Sequence, residues 1–212
     1  MTQPQIERNR KLGESLVKAL KARHFEACYC TDIAEAKQKL IEWIPQEDTV
    51  AWGGSQTLAE IGAQEMLRDR GQVLIDRDTA KTPEERNTLM RQALTADTFL
   101  MSSNAITEDG QLVNMDGNGN RAAALVYGPR QVIVVAGLNK VAKDLDAAIA
   151  RVRGTAAPTN AQRFPVNTPC KITGVCADCK SPDCICANMV ITRLSKPAGK
   201  IKVILIGETL GM

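Results

Sequence analysis

The chain has 212 residues, of which 44% are hydrophobic and 24% charged, and its 27 basic and 24 acidic side chains give a net charge of +3. This length fits one domain that buries a continuous core, and the composition is that of a globular protein. Only 3% of the residues are aromatic and no long basic run occurs. Nucleic-acid-binding proteins usually carry basic stripes or aromatic stacking platforms, so nucleic acid is not expected as a partner.

No targeting or membrane-spanning segment is predicted. Residues 1–11 carry charge but no apolar stretch follows them, so they do not resemble a signal peptide. The longest apolar run, residues 132–138, is far shorter than the roughly 20 residues that a membrane-spanning helix needs. We therefore expect a cytoplasmic protein, in which thiols are kept reduced.

The N-terminal portion, residues 1–45, is predicted to be mainly helical. Residues 4–23 have the apolar spacing of an amphipathic helix, and a short strand follows at 25–30. A second helix is predicted to begin after Asp32, because Asp32 and Glu35 have the spacing of a capping box.

Strands and helices alternate through the middle of the chain. Strands are predicted at 49–53, 72–76, 99–101 and 131–136, and a hairpin over 106–116 turns at Asp109-Gly110. Helices are predicted to begin at Ser55 and after Thr82, and another to carry Val141, Leu145, Ala148, Ile149 and Val152 on one face.

The C-terminal part is predicted to combine a surface connection, a cysteine-rich segment and two strands. Residues 154–169 are rich in Pro, Thr and Asn and indicate the connection. Strands at 189–194 and 201–206 are expected to form a final hairpin. The alternating pattern predicts one α/β domain over residues 1–212, with a cysteine-rich knuckle at 168–188.

Residues 170–186 contain five of the chain's seven cysteines. Their spacing is Cys-x5-Cys-x2-Cys-x4-Cys-x-Cys, and a Cys-x2-Cys pair lets two thiolates reach one metal from a tight turn. No histidine lies nearby, so an all-sulfur site is predicted, holding either structural zinc or an iron–sulfur cluster. The alternative to a metal site is a loop in which the five thiols are packed without a ligand.

The remaining cysteines and the single histidine have simpler interpretations. Cys28 and Cys30 alternate along a predicted strand, as small buried hydrophobic residues do. His24 lies at a predicted helix end. With one histidine in the chain, histidine-rich zinc hydrolase sites are excluded.

Two polar, glycine-rich loops predict a binding site for an anion. The first joins a strand to a helix N-terminus, whose free amides favour negative charge. The second lies between buried strands and combines side-chain amides with a guanidinium, as sites for polar or anionic small molecules do. Tight turns stabilised by Asn side chains are the alternative. The candidate ligand-binding residues are Gly53, Gly54, Ser55, Thr57, Asn104, Asn114, Asp116, Gly117, Asn118, Gly119, Asn120 and Arg121.

Several motifs in chain order resemble the LUD-domain lactate-utilisation proteins (LutC/YkgG-like). They are Gly53-Gly-Ser-Gln-Thr-Leu58, Ser103-Asn-Ala-Ile-Thr-Glu-Asp-Gly110, Asn114-Met-Asp-Gly-Asn-Gly-Asn-Arg121, Tyr127-Gly-Pro-Arg130, Val132 to Lys140 and Ile206-Gly-Glu-Thr-Leu-Gly-Met212. The resemblance implies a three-layer Rossmann-like α/β/α domain of the NagB/RpiA/CoA-transferase-like type. It also implies a role in oxidising lactate to pyruvate alongside iron–sulfur partner subunits.

The cysteine segment resembles a variant of that family in which Thr-Pro-Cys, Gly-x-Cys, Asp-Cys and Ile-Cys recur. The resemblance implies a [4Fe–4S] cluster on Cys170, Cys176, Cys179 and Cys186, with zinc as the alternative. Cys184 is an additional thiol and the competing fourth ligand. The implied partners are a small anionic metabolite and iron–sulfur subunits. Catalytic and accessory roles, and a homo-oligomer, are all compatible with these motifs.

Overall fold

The computed structural model describes residues 1–212, which form ten strands and nine α-helices. The strands are β1 (Glu26–Cys30), β2 (Thr49–Trp52), β3 (Val73–Ile75), β4 (Thr98–Met101), β5 (Ala105–Thr107), β6 (Leu112–Asp116), β7 (Gln131–Gly137), β8 (Val141–Ala142), β9 (Asn188–Thr192) and β10 (Ile201–Ile206). The helices are α1 (Gln3–Ala22), α2 (Ile33–Trp43), α3 (Gln56–Glu60), α4 (Ala63–Asp69), α5 (Pro83–Gln92), α6 (Asn120–Val126), α7 (Leu145–Arg151), α8 (Ala157–Ala161) and α9 (Pro169–Thr173).

The centre of the fold is a six-stranded parallel sheet with the order β1-β10-β7-β4-β2-β3. A smaller mixed sheet has the order β8-β5-β6-β9, in which β6 runs antiparallel to both β5 and β9. Strand β7 is buried on both faces, as a central parallel strand with helices on either side must be.

Two hydrophobic cores lie on opposite faces of the large sheet. Val132 and Val134 of β7 pack with Leu16 and Leu20 of α1, whereas Ile133 of β7 packs into the core that includes helices α2, α3 and α4. Helices therefore cover both faces, and the predicted three-layer α/β/α architecture is confirmed. None of these helices has both the length and the apolar character to cross a membrane.

Local capping signals predicted several helix starts correctly. The side chain of Asp32 accepts a hydrogen bond from the Glu35 amide at 3.0 Å and begins α2. The side chain of Thr82 accepts one from the Glu85 amide at 3.1 Å and begins α5. These side chains satisfy amide groups that the first turn of a helix leaves without a partner.

The predicted C-terminal hairpin is wrong. Strand β9 pairs with β6 in the small sheet, and β10 lies between β1 and β7 in the large one. Residues Ile201–Ile206 are buried along almost their whole length, which fits a central strand, whereas the side chains of β9 are mostly exposed, which fits an edge strand. The fact that β9 and β10 are adjacent in sequence does not reveal which strand each of them pairs with.

Two other predictions need correction. Residues 154–161, predicted to be a surface connection, continue α7 through a π-helical turn (Val152–Ala156) into α8. Their alanines explain the difference, because Ala156 and Ala161 are buried and good helix formers. Val141, assigned to a helix from its spacing, lies in β8 beside Ile106.

The β5–β6 hairpin turns at Asp109-Gly110 as predicted, and it rests on the end of α1. Gly110 has φ of +88°, and a Cβ atom there would lie 2.9 Å from the backbone carbon of Ala19. Gly199 has a similar φ of +75° but no atom within 4 Å of a Cβ position. Both glycines thus adopt a left-handed backbone conformation, but only Gly110 packs closely against neighbouring backbone atoms.

We expect Gly110→Ala to destabilise the protein by roughly 1 to 3 kcal/mol more than Gly199→Ala, because only Gly110 adds overpacking to the left-handed backbone penalty. Urea denaturation followed by circular dichroism measures both free energies of unfolding. Equal values for the two variants would show that α1 moves away from the hairpin at little cost.

Candidate functional site

A cleft of about 590 Å³ lies where parallel strands of the large sheet end. The loops after β2, β3, β4 and β7 all contribute to its wall, which is the usual position of ligands in open α/β sheets. The loop between β6 and α6 forms the opposite wall. The predicted residues that line the cleft are Gly54, Ser55, Asn104, Asp116, Gly117, Asn118, Asn120 and Arg121.

The other four predicted residues lie behind this surface and shape it. A Cβ atom on Gly53 would lie 3.0 Å from the side chain of Arg121, so the glycine permits that contact. Gly119 begins α6 with φ of +80°. Thr57 and Asn114 are fully buried, and their side-chain oxygens accept hydrogen bonds from residues of the wall.

Arg121 joins the two polar loops. One terminal nitrogen donates to the Ser102 carbonyl at 2.9 Å and to Asn114 Oδ1 at 3.0 Å. The other donates to Asn104 Oδ1 at 2.8 Å and to the Met115 carbonyl at 2.5 Å. Burial lowers the pKa of Arg121, and the charge of Asp116 opposes that shift. Arg121 therefore fixes the loops and leaves few hydrogens for a ligand.

Sequence reasoning missed most of the positive charge in the cleft. Besides Arg121, the lining contains four cationic side chains against two carboxylates, those of Asp116 and Asp183. The missed cationic residues are Arg77, Arg86, Lys140 and Arg163. Two of them could have been found, because Arg77 and Lys140 closely follow predicted strands, where parallel strands deliver side chains to a shared edge.

Arg77 is the cleft cation with the poorest set of partners. Its side chain is 14% exposed, and its buried Nε atom lies 3.8 Å from Asp78 Oδ1, which makes an ion pair but no hydrogen bond. A methyl group on Gly54 would lie 2.5 Å from Nη2 of Arg77, so that glycine makes room for the guanidinium. Burial and the neighbouring Arg86 lower the pKa of Arg77. An anion in the cleft would supply the missing acceptor.

A second cavity, of about 230 Å³, is lined by all five cysteines of the C-terminal segment. These are Cys170, Cys176, Cys179, Cys184 and Cys186. Burial raises the pKa of the Cys186 thiol to about 12, with contributions from the other four cysteines. The segment thus brings together every thiol that the sequence grouped.

Hydrogen bonds and one ion pair hold the cysteine segment against the fold. Gly174, with φ of +75°, ends α9 and turns the chain. Asp178 forms an ion pair with Arg153 at 2.6 Å, and Asp183 accepts a hydrogen bond from the Asn167 amide at 2.8 Å. Between α9 and β9 the segment has no regular secondary structure. Its interpretation as an insertion stays a prediction, as does that of residues 1–212 as one domain.

The thiols surround the cavity instead of meeting at one point. No group of three or more Cys, His, Asp or Glu side chains is close enough to hold a single metal ion. The other two cysteines lie elsewhere, with Cys30 buried in the core and Cys28 packed against it, as predicted. His24 ends α1 in a left-handed conformation, with φ of +63°.

The cleft and the cysteine cavity share one wall. Met115, Cys184 and Ile185 line both. The backbone of Ile185 also packs closely on the loop before α6, since a Cβ atom on Gly117 would lie 3.3 Å from the Ile185 Cα atom. The cysteine segment is therefore part of the cleft as well as of its own cavity.

The parallel sheet, the two helical layers and the cleft at the strand ends define a Rossmann-like α/β protein. The profile of the LUD domain family matches residues 13–206, and the chain belongs to that family. The family is associated in general with lactate utilisation. A comparison with proteins of curated function gives no match.

One solved structure supports the same fold. A DUF162 family protein from Deinococcus radiodurans superposes with a TM-score of 0.55 at 11% identity, covering 93% of this chain and 98% of that one. The eIF2B delta chain from Chaetomium thermophilum gives 0.34 at 19% identity over 52% and 48% of the two chains. The eIF2B beta2-delta2 complex of C. thermophilum gives 0.40 at 16% identity over 81% and 54%. The last two scores are too low to support an argument.

Proposed function

We propose that this protein is an electron-transfer or accessory subunit for the oxidation of lactate to pyruvate, and that its cysteine segment holds a [4Fe–4S] cluster. The observation that carries the proposal is the convergence of five thiols on one cavity of about 230 Å³. The family's association with lactate utilisation supplies the metabolic context.

The spacing of the thiols favours a cluster over a single zinc ion. Four thiolates around one zinc lie at about 2.3 Å from the metal and roughly 3.8 Å from each other in tetrahedral geometry. In this structure no group of three or more of these side chains is close enough to hold a single metal ion. A cluster places its own iron and sulfide atoms between the cysteines, so it suits thiols that surround a cavity.

Cys170, Cys176, Cys179 and Cys186 are the proposed ligands. Cys184 is the competing candidate for the fourth position, since it also lines the cavity. Cys184 is also the one cysteine of the segment that lines the anion cleft. This position suits a thiol in the wall between the cleft and the cysteine cavity. The cluster would supply one-electron transfer, and Arg153 beside the cavity would offset part of its negative charge.

The cleft is proposed to bind a small anionic metabolite. Conversion of lactate to pyruvate releases two electrons and two protons, and the electrons would pass to iron–sulfur partner subunits. Four arginine side chains against the carboxylates of Asp116 and Asp183 give the cleft the charge that a carboxylate ligand requires. Ser55 and Gln56, at the start of α3, add polar groups to the lining of the cleft.

The volume of the cleft supports a second candidate function. About 590 Å³ is more space than a three-carbon acid fills, and it would accept a larger phosphorylated or carboxylated metabolite. In that case the protein would be a stand-alone enzyme or binding protein, and zinc would hold the cysteine segment. The metal content separates this candidate from the first one.

Purification without oxygen, followed by iron, zinc and acid-labile sulfide analysis and a visible spectrum, tests the proposal. We expect about four irons and four sulfides per chain with broad visible absorption, as a cysteine-ligated [4Fe–4S] cluster gives. One zinc per chain and no colour would transfer support to the second candidate. Protein that takes up neither metal during anaerobic reconstitution would contradict both.

A further inference from the structure

Lys140 is a buried amine in the cleft with no acidic partner. It follows β7 at the floor of the cleft and is 4% exposed. Its Nζ atom donates to Thr57 Oγ1 at 2.8 Å and to Ser102 Oγ at 3.0 Å, and it forms no ion pair. A buried ammonium without a carboxylate is costly, so the arrangement favours the uncharged amine.

The charges around Lys140 also favour the uncharged amine. Burial lowers the pKa of Lys140 to about 7, the positive charges of Arg151 and Arg121 contribute, and only Glu60 opposes the shift. Gly211 packs against the amine, since a Cβ atom there would lie 3.1 Å from Nζ. At neutral pH a large fraction of Lys140 is therefore uncharged, unlike an exposed lysine.

The hydrogen bonds leave the uncharged amine one reactive feature. A neutral amine has two N–H bonds and one lone pair, and the hydroxyl groups of Thr57 and Ser102 accept the two hydrogens. The lone pair then has no protein partner. Desolvated lysines of this kind are the ones that attack carbonyl groups.

We propose that Lys140 forms an imine with the carbonyl carbon of a 2-oxo acid whose carboxylate is held by the guanidinium groups of the cleft. The inference rests on the proposed function, because it gives the anion site a particular ligand class. A 2-oxo acid uses both features: the cationic side chains select its carboxylate, and the amine selects the neighbouring carbonyl.

The reaction is balanced without an oxidant or reductant. The Nζ lone pair attacks the carbonyl carbon and forms the C–N bond, while the carbonyl oxygen takes up a proton to give a carbinolamine. Loss of that oxygen as water leaves the C=N double bond, so one water is released and no electron is gained or lost. The hydroxyl groups of Ser102 and Thr57 lie within hydrogen-bond distance of Nζ and can carry the protons.

Borohydride trapping with pyruvate tests the proposal. Borohydride reduces an imine to a stable secondary amine, and peptide mass spectrometry locates the added group. We expect one adduct, on the peptide that contains Lys140. The rate of trapping should rise with pH through about 7 and then level off, because only the uncharged amine reacts.

Lys143 provides a matched control three residues away. It is exposed, and its hydrogen bond with Glu108 raises its pKa, so it stays charged and should not be trapped. Lys143→Met should therefore retain the adduct, whereas Lys140→Met should lose it. Circular dichroism and the thermal midpoint establish that Lys140→Met remains folded, and Lys140→Arg provides a second variant without a reactive amine.

The outcomes distinguish this proposal from the cluster and from the anion site. Wild-type protein that gives no adduct, or an adduct spread over exposed lysines, overturns it. Binding of oxalate, which has carboxylates but no ketone, would in that case leave the anion cleft supported. Trapping in a Cys176→Ser variant without metal would show that the amine chemistry stands even if the cluster is absent.

Discussion

We expect the Cys176→Ser and Cys179→Ser variants to lose essentially all bound iron and sulfide, together with the visible absorption, in protein prepared without oxygen. Both thiols line the cysteine cavity, and their two-residue spacing lets them bind the same centre. A hydroxyl group is a poor ligand for this soft-metal site, so one substitution removes a quarter of the proposed coordination.

The same variants should also be less stable. The cysteine segment has no regular secondary structure between α9 and β9, so few backbone hydrogen bonds hold it without the metal. Metal binding contributes to folding free energy when the site forms only in the folded chain. We therefore expect a lower thermal midpoint, and faster proteolysis within residues 174–187, than in the wild-type protein.

Cys28→Ser is the matched control, because Cys28 lies in β1 and outside the cavity. It should keep the full iron content. Within the segment, Cys186→Ser should lose the cluster and Cys184→Ser should keep it. The opposite result would make Cys184, and not Cys186, the fourth ligand. Full metal content in both Cys176→Ser and Cys179→Ser would disprove the assignment of the cavity.

The second large effect is expected at Arg77. We expect Arg77→Met to weaken the binding of oxalate by roughly 100-fold, because removing one partner of a buried charge pair typically costs about 2 to 5 kcal/mol. Arg77 is nearly buried, and its Nε atom has no acceptor within the protein. Nη1 of Arg77 contacts the sulfur of Met90, and we expect the hydrogens of Nε and Nη2 to bind the anion. Isothermal titration calorimetry measures the affinity directly.

Arg130→Met is the control for the change in net charge. Arg130 is 80% exposed, pairs with Asp97, and immediately precedes β7, at the end of the sheet opposite the cleft. It should leave the oxalate affinity within about twofold of the wild-type value, since exposed charges are screened by salt. Equal affinities for Arg77→Met and wild-type protein would remove Arg77 from the binding site.

Arg121→Met should behave differently from Arg77→Met and Arg130→Met. The sequence suggested a ligand contact at Arg121. In the structure its four hydrogen bonds instead tie the loop after β4 to β6. We therefore expect a lower thermal midpoint for this variant, with any loss of affinity following from the displaced loops.

The sequence predicted features that depend on neighbouring residues. The apolar run of β7, the turn at Asp109-Gly110 and the cap at Thr82 are all encoded within a few positions, and each is found in the structure. The grouping of five thiols was equally local, because a 17-residue stretch cannot place them far apart.

Features that depend on tertiary partners were not predicted. The strand pattern of residues 201–206 does not reveal that β7 and β1 lie on either side, so β9 was the wrong partner. The position of Lys140 after a predicted strand places it near the strand ends, but the sequence does not reveal that its amine is buried. Its interest comes from Thr57 and Ser102, which are 83 and 38 positions away along the chain.

Cys184 and Ile185 form a wall that the two cavities share. Filling the cysteine cavity would fix the position of this backbone and therefore the shape of the anion cleft. Thermodynamic reciprocity then requires that an anion in the cleft change the affinity of the cysteine segment for its metal by the same factor. Metal binding in one cavity and anion binding in the other would thus be two aspects of a single coupled equilibrium.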